Sequence, residues 1–206
     1  MAIATHMMWH CAYTRANFNG TGDHIRQWHM GPKKMSDGRI RYMGQYYGSV
    51  DELPDEEVGG KSIKTFFGNG WSRPGYQAII LRDGTREWLI EDDGDNEIDP
   101  WEITYGASGT NSFTRHFCMF GGLADNGKDP ENNFTDAQWM AAANLTLEMI
   151  TKFPNLKLIG HNQTDVHKSC PTFSVPRWAE LLGIDPINID YENLKNNPYF
   201  IQYHNS

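Results

Sequence analysis

Apolar positions along the chain fall into short runs separated by stretches rich in Gly, Asn and Asp. Residues 6–13, His-Met-Met-Trp-His-Cys-Ala-Tyr, are apolar apart from two histidines, which predicts a short buried strand. After a Gly/Asn-rich loop, Thr21 or Asp23 caps a short expected helix over 23–30 that carries Ile25, Trp28 and His29. Residues 76–81 predict a strand, Asp83-Gly84 a tight turn, and residues 85–89 the returning strand of a hairpin. Residues 90–111 are acidic and Gly-rich and predict a loop, and 113–120 another strand. Thr135 and Gln138 form a Thr-x-x-Gln capping box. The helix it opens places Trp139, Ala143, Leu147 and Ile150 at helical spacing, an expected buried stripe, and Pro154 ends it. A strand is expected at 156–159, then a segment without periodicity at 161–170. A last helix follows, capped by Ser174, with Pro176 in its first turn, Trp178, Leu181 and Leu182 along it, and Gly183 as its stop.

Strands alternating with helices, with a hairpin between them, predict an α/β fold in which a mixed central β-sheet is flanked by helices. Residues 33–67 break this rhythm with Asp37-Gly38 and Gly59-Gly60 turns and an acidic stretch, and predict a hairpin-like or irregular excursion on the surface. The 206 residues suit one compact domain with an insertion. The catalytic unit is expected at 1–183, with the insertion at 33–67 and an Asn- and Tyr-rich extension at 184–206.

Composition narrows the function. A formal charge of −8 argues against a nucleic-acid binder, which needs a basic face. Three cysteines, Cys11, Cys118 and Cys170, are too few and too odd for a disulfide framework. No apolar run is long enough to span a membrane. The first residues lack the basic start and apolar core of a signal peptide, so synthesis in a cytoplasm is expected.

Metal-ligating residue types stand in two places: His10 and Cys11 in the first strand, and His161, His167 and Cys170 after the last one. A catalytic zinc takes three His, Cys or carboxylate ligands and keeps a position for water. Alternation along a strand sends Cys11 to the face opposite His10. His116 is expected to be an ordinary structural histidine and Cys118 a small buried apolar residue. The acidic runs 51–57 and 91–99 lack a calcium-loop spacing and are expected to be solvated surface.

Three segments in this order carry a resemblance: residues 9–14, Trp-His-Cys-Ala-Tyr-Thr; residues 70–80, from Gly70-Trp71 to Tyr76-Gln77-Ala78-Ile79-Ile80; and Gly160-His161 followed by His167-Lys168-Ser169-Cys170-Pro171-Thr172-Phe173. Together they resemble the type-2 N-acetylmuramoyl-L-alanine amidases, which include phage endolysins and the animal peptidoglycan recognition proteins. Residues 133–138, before and into the long helix, resemble the phage branch. The resemblance covers 7–32 and 68–183.

It implies Zn2+ held by His10, His161 and Cys170, with His167 the competitor for the second position. It implies Tyr76 and Lys168 as catalytic residues. Lys168 would stabilise the oxyanion; Tyr76 would orient or deprotonate the water, or donate to the intermediate. The implied reaction is hydrolysis of the lactyl amide between N-acetylmuramic acid and L-alanine of peptidoglycan. The implied actor is a monomer with no nucleic-acid or membrane partner, stored in a host cytoplasm until it is released at lysis. A non-catalytic peptidoglycan-binding module and a wall-recycling amidase are the alternatives. The first would lack a ligand, and here every position is filled.

Overall fold

The structure, a computed structural model, describes residues 2–165 and 167–192. Its centre is a sheet of five strands: β1 (His6–Cys11), β2 (Ala78–Ile80), β3 (Arg86–Trp88), β4 (Thr114–Met119) and β5 (Lys157–Gly160). Their spatial order is β5-β1-β4-β2-β3. The first four are mutually parallel, and β3 runs back along β2 as the outer half of the Asp83-Gly84 hairpin. The mixed central sheet expected from the sequence is therefore present. The helices are α1 (Gly22–Met30), α2 (Asp136–Lys152), a short turn α3 (His161–Thr164) and α4 (Val175–Leu181).

Both faces of the sheet are covered, and its inner strands carry apolar residues on both sides. Met7, Trp9, Phe117, Met119, Ala78 and Ile80 face α2 and α4, where they meet Ala142, Leu145, Met149, Val175 and Ala179. On the other side, Ile79, Cys118 and Phe120 pack against Ile25 of α1.

The expected buried stripe of α2 is met in part: Trp139 and Ile150 pack against the main core, but the fully buried positions are others. Leu147 is 45% exposed, and the inward face is Gln138, Ala142, Leu145, Thr146 and Met149. Two polar residues belong to that face because the sheet gives them partners. Gln138 closes the helix cap with Thr135 and donates Nε2 to the carbonyls of Phe120 (2.8 Å) and Ile80 (3.3 Å). Thr146 accepts from the indole of Trp9 at 3.2 Å. In α4, Leu181 is likewise exposed.

The acidic loop is not wholly solvated. Glu97–Ile98 pairs antiparallel with Ala2–Ile3. Arg115 of β4, fully buried, pairs with Asp92 and donates to the carbonyls of Asp95 and Glu97. Asp99 is buried as well. A buried guanidinium demands such partners, and the loop supplies them.

The excursion at 33–67 is more ordered than expected. Lys33–Lys34, Ile40–Tyr42 and Gln45–Tyr47 form a three-stranded antiparallel sheet, and Glu57–Val58 pairs with Lys61–Ser62. Ile40, Tyr42, Leu53, Val58 and Ile63 make a small core of their own. It docks on α1 at Gly59, whose φ is +55° and whose missing Cβ would lie 2.5 Å from the carbonyl oxygen of Asp23. Past α4, Ile184 and Ile189 return to the main core, and Asn188 donates to the carbonyls of Leu156 and Pro154. Residues 193–206 of the expected extension lie outside the described residues.

The rotated stripe makes a direct test. Leu145→Ala should cost about 2–5 kcal/mol in urea unfolding. Leu147→Ala should stay within about 0.5 kcal/mol. Equal losses would restore the stripe read from the sequence.

Candidate metal and catalytic site

The parallel strands β5, β1 and β4 end at one edge of the sheet, and that edge carries the site. His10 is the penultimate residue of β1, and His161 follows β5 directly as the first residue of α3. Because Gly160 pairs with Trp9, the two histidines emerge side by side. Their Nδ1 atoms are 3.1 Å apart. Cys170 comes in on the next loop. Its carbonyl accepts from the Asn162 N–H at 2.7 Å, and its Sγ accepts from the Cys11 N–H at 3.2 Å. That Sγ lies 3.7 Å from His10 Nδ1.

The ligand atoms of His10, His161 and Cys170 all lie within 4.8 Å of one another. Bond lengths of zinc to nitrogen and sulfur, set tetrahedrally, separate two nitrogens by about 3.3 Å and nitrogen from sulfur by about 3.6 Å. The observed spacings suit such an ion. Charge state suits it too. Burial, reinforced by His161, His116 and His29, holds His10 well below the ordinary imidazole range. Burial and then the charge of Lys168 bring His161 down to about 4. Both rings are therefore neutral and offer lone pairs. Burial, with Cys11 beside it, pushes the Cys170 thiol up, so metal uptake there would release its proton.

Tyr76 stands just before β2, with its ring 5.1 Å from that of His10. Burial, then the thiols of Cys118, Cys170 and Cys11, raise its phenol well above the ordinary value, so it is a proton donor at neutral pH. Lys168 is exposed, and it shares a cavity of about 470 Å³ with Tyr76, His161 and Cys170. His167 lines the same cavity from the loop but is exposed and outside the three-residue group. Cys11, expected on the opposite face from His10, lines the same cavity beside Cys170, and its Sγ also packs on Gly122, where an added Cβ would meet it at 2.6 Å.

Residues 43–173 match the N-acetylmuramoyl-L-alanine amidase family. The chain belongs to that family. The match includes Tyr76, His161, Lys168 and Cys170, and His10 lies before it. This amidase is 33% identical to the endolysin of Escherichia phage T7 over 128 residues, 62% of this chain and 78% of that protein. Among solved structures it resembles the Ph2119 endolysin of a Thermus scotoductus bacteriophage, with a TM-score of 0.54, 16% identity, and 90% and 88% of the two chains covered. Bumblebee PGRP-SA gives a TM-score of 0.54 at 14% identity, covering 93% and 86%. At such identities these two share the fold.

Two histidines at the site escaped the sequence reading. His116, expected to be an ordinary structural residue, places Nδ1 3.0 Å from Nε2 of His10 and is fully buried. Burial and then His161 push it down to about 3. His29, in the last turn of α1, accepts from the Gly75 N–H at 2.9 Å and sets its ring 5.2 Å from Tyr76, so it holds the approach to β2. Neither has a local motif. The signal for His116 is strand register: Cys118 pairs with His10, so alternation puts His116 on the same face of the sheet.

Proposed function

We propose that this chain is a zinc-dependent N-acetylmuramoyl-L-alanine amidase acting as a phage endolysin. Its substrate is the lactyl amide between N-acetylmuramic acid and L-alanine in peptidoglycan. The observation that carries this reading is the meeting of His10, His161 and Cys170 beside a cavity that His161 and Cys170 line together with Tyr76 and Lys168. Zinc held by those three residues would supply a Lewis acid for the amide carbonyl and an acidified water.

The chain's own residues do the rest. The Lys168 ammonium, at the cavity rim, stabilises the negative charge that develops on the carbonyl oxygen. Tyr76 holds its proton and is placed to orient the water or to donate as the amide breaks. The leaving amine is that of the first stem residue. The chain acts as a monomer on peptidoglycan, is made in the host cytoplasm and reaches the wall at lysis. Residues 1–183 form the catalytic unit and 184–206 its extension.

Residues 33–67 form one wall of the substrate groove in this reading. Arg41, Met43 and Gly44 of the insertion line a cleft with Trp71, Ser72 and Tyr105. An aromatic row runs back from that cleft to the site, with Trp71 4.8 Å from His29 and His29 5.2 Å from Tyr76. Of the insertion's aromatic residues, Tyr46 and Phe67 are exposed, whereas Tyr42 is buried in the insertion's core and Tyr47 and Phe66 pack against it. Tyr42 therefore offers no flat face to sugar.

Elemental analysis of the purified protein should find one zinc per chain. His10→Ala, His161→Ala and Cys170→Ala should each lose it, and His167→Ala should keep it. Chelation should abolish release of stem peptides from sacculi, followed by mass spectrometry of the fragments, and zinc should restore it. Full occupancy in Cys170→Ala with loss in His167→Ala would replace the ligand set.

Lys168→Ala should keep zinc and lose on the order of 10²–10³ in turnover. Tyr76→Phe should also slow turnover with zinc retained. Near-native rates in either would remove that residue from the mechanism.

Replacing residues 35–67 by a short Gly/Ser linker should leave zinc and fold intact and weaken cleavage of intact walls. Unchanged kinetics on walls would make the insertion an ornament.

A further inference from the structure

We propose that His116 is a positioning residue for the metal centre: it accepts the Nε2 proton of His10 and so fixes the tautomer of His10 that turns an Nδ1 lone pair toward His161 and Cys170. This rests on the reading of those three residues as metal ligands.

A neutral imidazole has one N–H and one lone pair. His10 has distinct partners on its two ring nitrogens. Nδ1 faces His161 Nδ1 at 3.1 Å and Cys170 Sγ at 3.7 Å. Nε2 faces His116 Nδ1 at 3.0 Å. A ligating Nδ1 must be bare, so the proton sits on Nε2 and points at His116. His116 must then offer a bare Nδ1 and carry its own proton on Nε2. The opposite arrangement, with His116 donating, leaves the His10 proton on Nδ1 and blocks ligation. The two rings therefore switch tautomer together, and only one of the two joint states can bind a metal.

The surroundings fix His116 for this task. Its ring is fully buried. Its backbone is clamped by Gln77, whose side-chain oxygen accepts the His116 N–H and whose own N–H donates to the His116 carbonyl at 2.8 Å. Gly106 makes room for the ring, since a Cβ there would lie 2.4 Å from His116 Nδ1 and 2.8 Å from the Gly75 carbonyl oxygen. His116 Nε2 is buried without a hydrogen-bond partner among the described residues, so the ring's polar contact is with His10. A histidine kept only for packing would gain nothing from aiming Nδ1 at a ligand. Metal-bound histidines commonly donate their second N–H to a carboxylate or carbonyl, and losing that acceptor lowers metal affinity about 10–100-fold. Here the acceptor is a second neutral imidazole.

The test compares two substitutions at this position. Asn places Oδ1 close to where His places Nδ1 and can accept the same proton, whereas Leu fills the space and accepts nothing. Zinc affinity is measured by competition with a chromophoric chelator, and the Co2+ form is examined by its d–d absorption. His116→Leu should bind zinc about 10–100-fold more weakly, with a changed cobalt spectrum. His116→Asn should recover most of the affinity and the native spectrum. Wild-type affinity in His116→Leu, or an equal loss in both variants, overturns the proposal. In the wild-type zinc form, long-range 1H–15N spectra should show His10 protonated on Nε2 and His116 bare on Nδ1. A proton on His116 Nδ1 overturns the proposal whether or not the Leu variant folds. A wild-type protein that binds no zinc removes the ligand reading itself. Zinc binding by the wild type that is unchanged in His116→Leu removes only the role of His116.

Discussion

Strand β1 lies between β4 and β5, parallel to both, and this pairing decides where the imidazoles meet. Parallel strands end at the same edge, so residues near their carboxyl ends become neighbours however far apart they stand in sequence. His10 and His161 are 151 positions apart and in contact through β1 and β5. His10 and His116 are 106 positions apart and in contact through β1 and β4. Slipping either pairing by one residue would turn a histidine to the opposite face of the sheet. The hydrophobic partition of β1 opposes that slip. Met7 and Trp9 must face α2 and α4, which leaves His10 facing the site.

The site is held together against an electrostatic cost. His10 and His116 are almost wholly buried, and the Nε2 of His116, without a hydrogen-bond partner among the described residues, alone costs about 1–3 kcal/mol. Neutrality keeps the cost tolerable, because an uncharged imidazole loses far less on leaving water than an imidazolium. The compensation comes from the other face of the same sheet, where Trp9, Phe117 and Met119 are fully buried. Each such side chain contributes about 1.5–3 kcal/mol. One face of β1 and β4 thus stabilises the fold while the other carries the two histidines.

The sequence carried the ligand candidates because they sit in short motifs whose order is informative: His10 in its apolar run, Tyr76 before its strand, and His161 and Cys170 around the last loop. The strands and long helices were readable for the same reason, through local apolar periods. What was hidden needed a partner from elsewhere in the chain. Gln138 and Thr146 read as polar until the carbonyls of Ile80 and Phe120 and the indole of Trp9 come to meet them. Arg115 turns part of an acidic loop into buried structure. His116 looks ordinary until β4 is set beside β1. The insertion hid its order because its core is assembled from residues spread between Ile40 and Ile63, with no run long enough to show a period.

The two histidines of the last loop show how geometry separates residues that composition cannot. His161 is seated by a helical turn. Its carbonyl accepts from the Asp165 N–H, and the Gly160 N–H just before it donates to the buried side chain of Gln163. Gln163 in turn donates to the Asp190 carbonyl, beyond α4. The far end of the loop is tied by Cys170 to Asn162 and Cys11. With both ends fixed, the part of the loop around His167 and Lys168 lies on the solvent side. His167 sits there, exposed, with its N–H on the Asp165 carboxylate. A ligand already held in place binds a metal more tightly, because each side chain still to be ordered subtracts from affinity. His161 meets that condition, and His167, on the exposed stretch, does not.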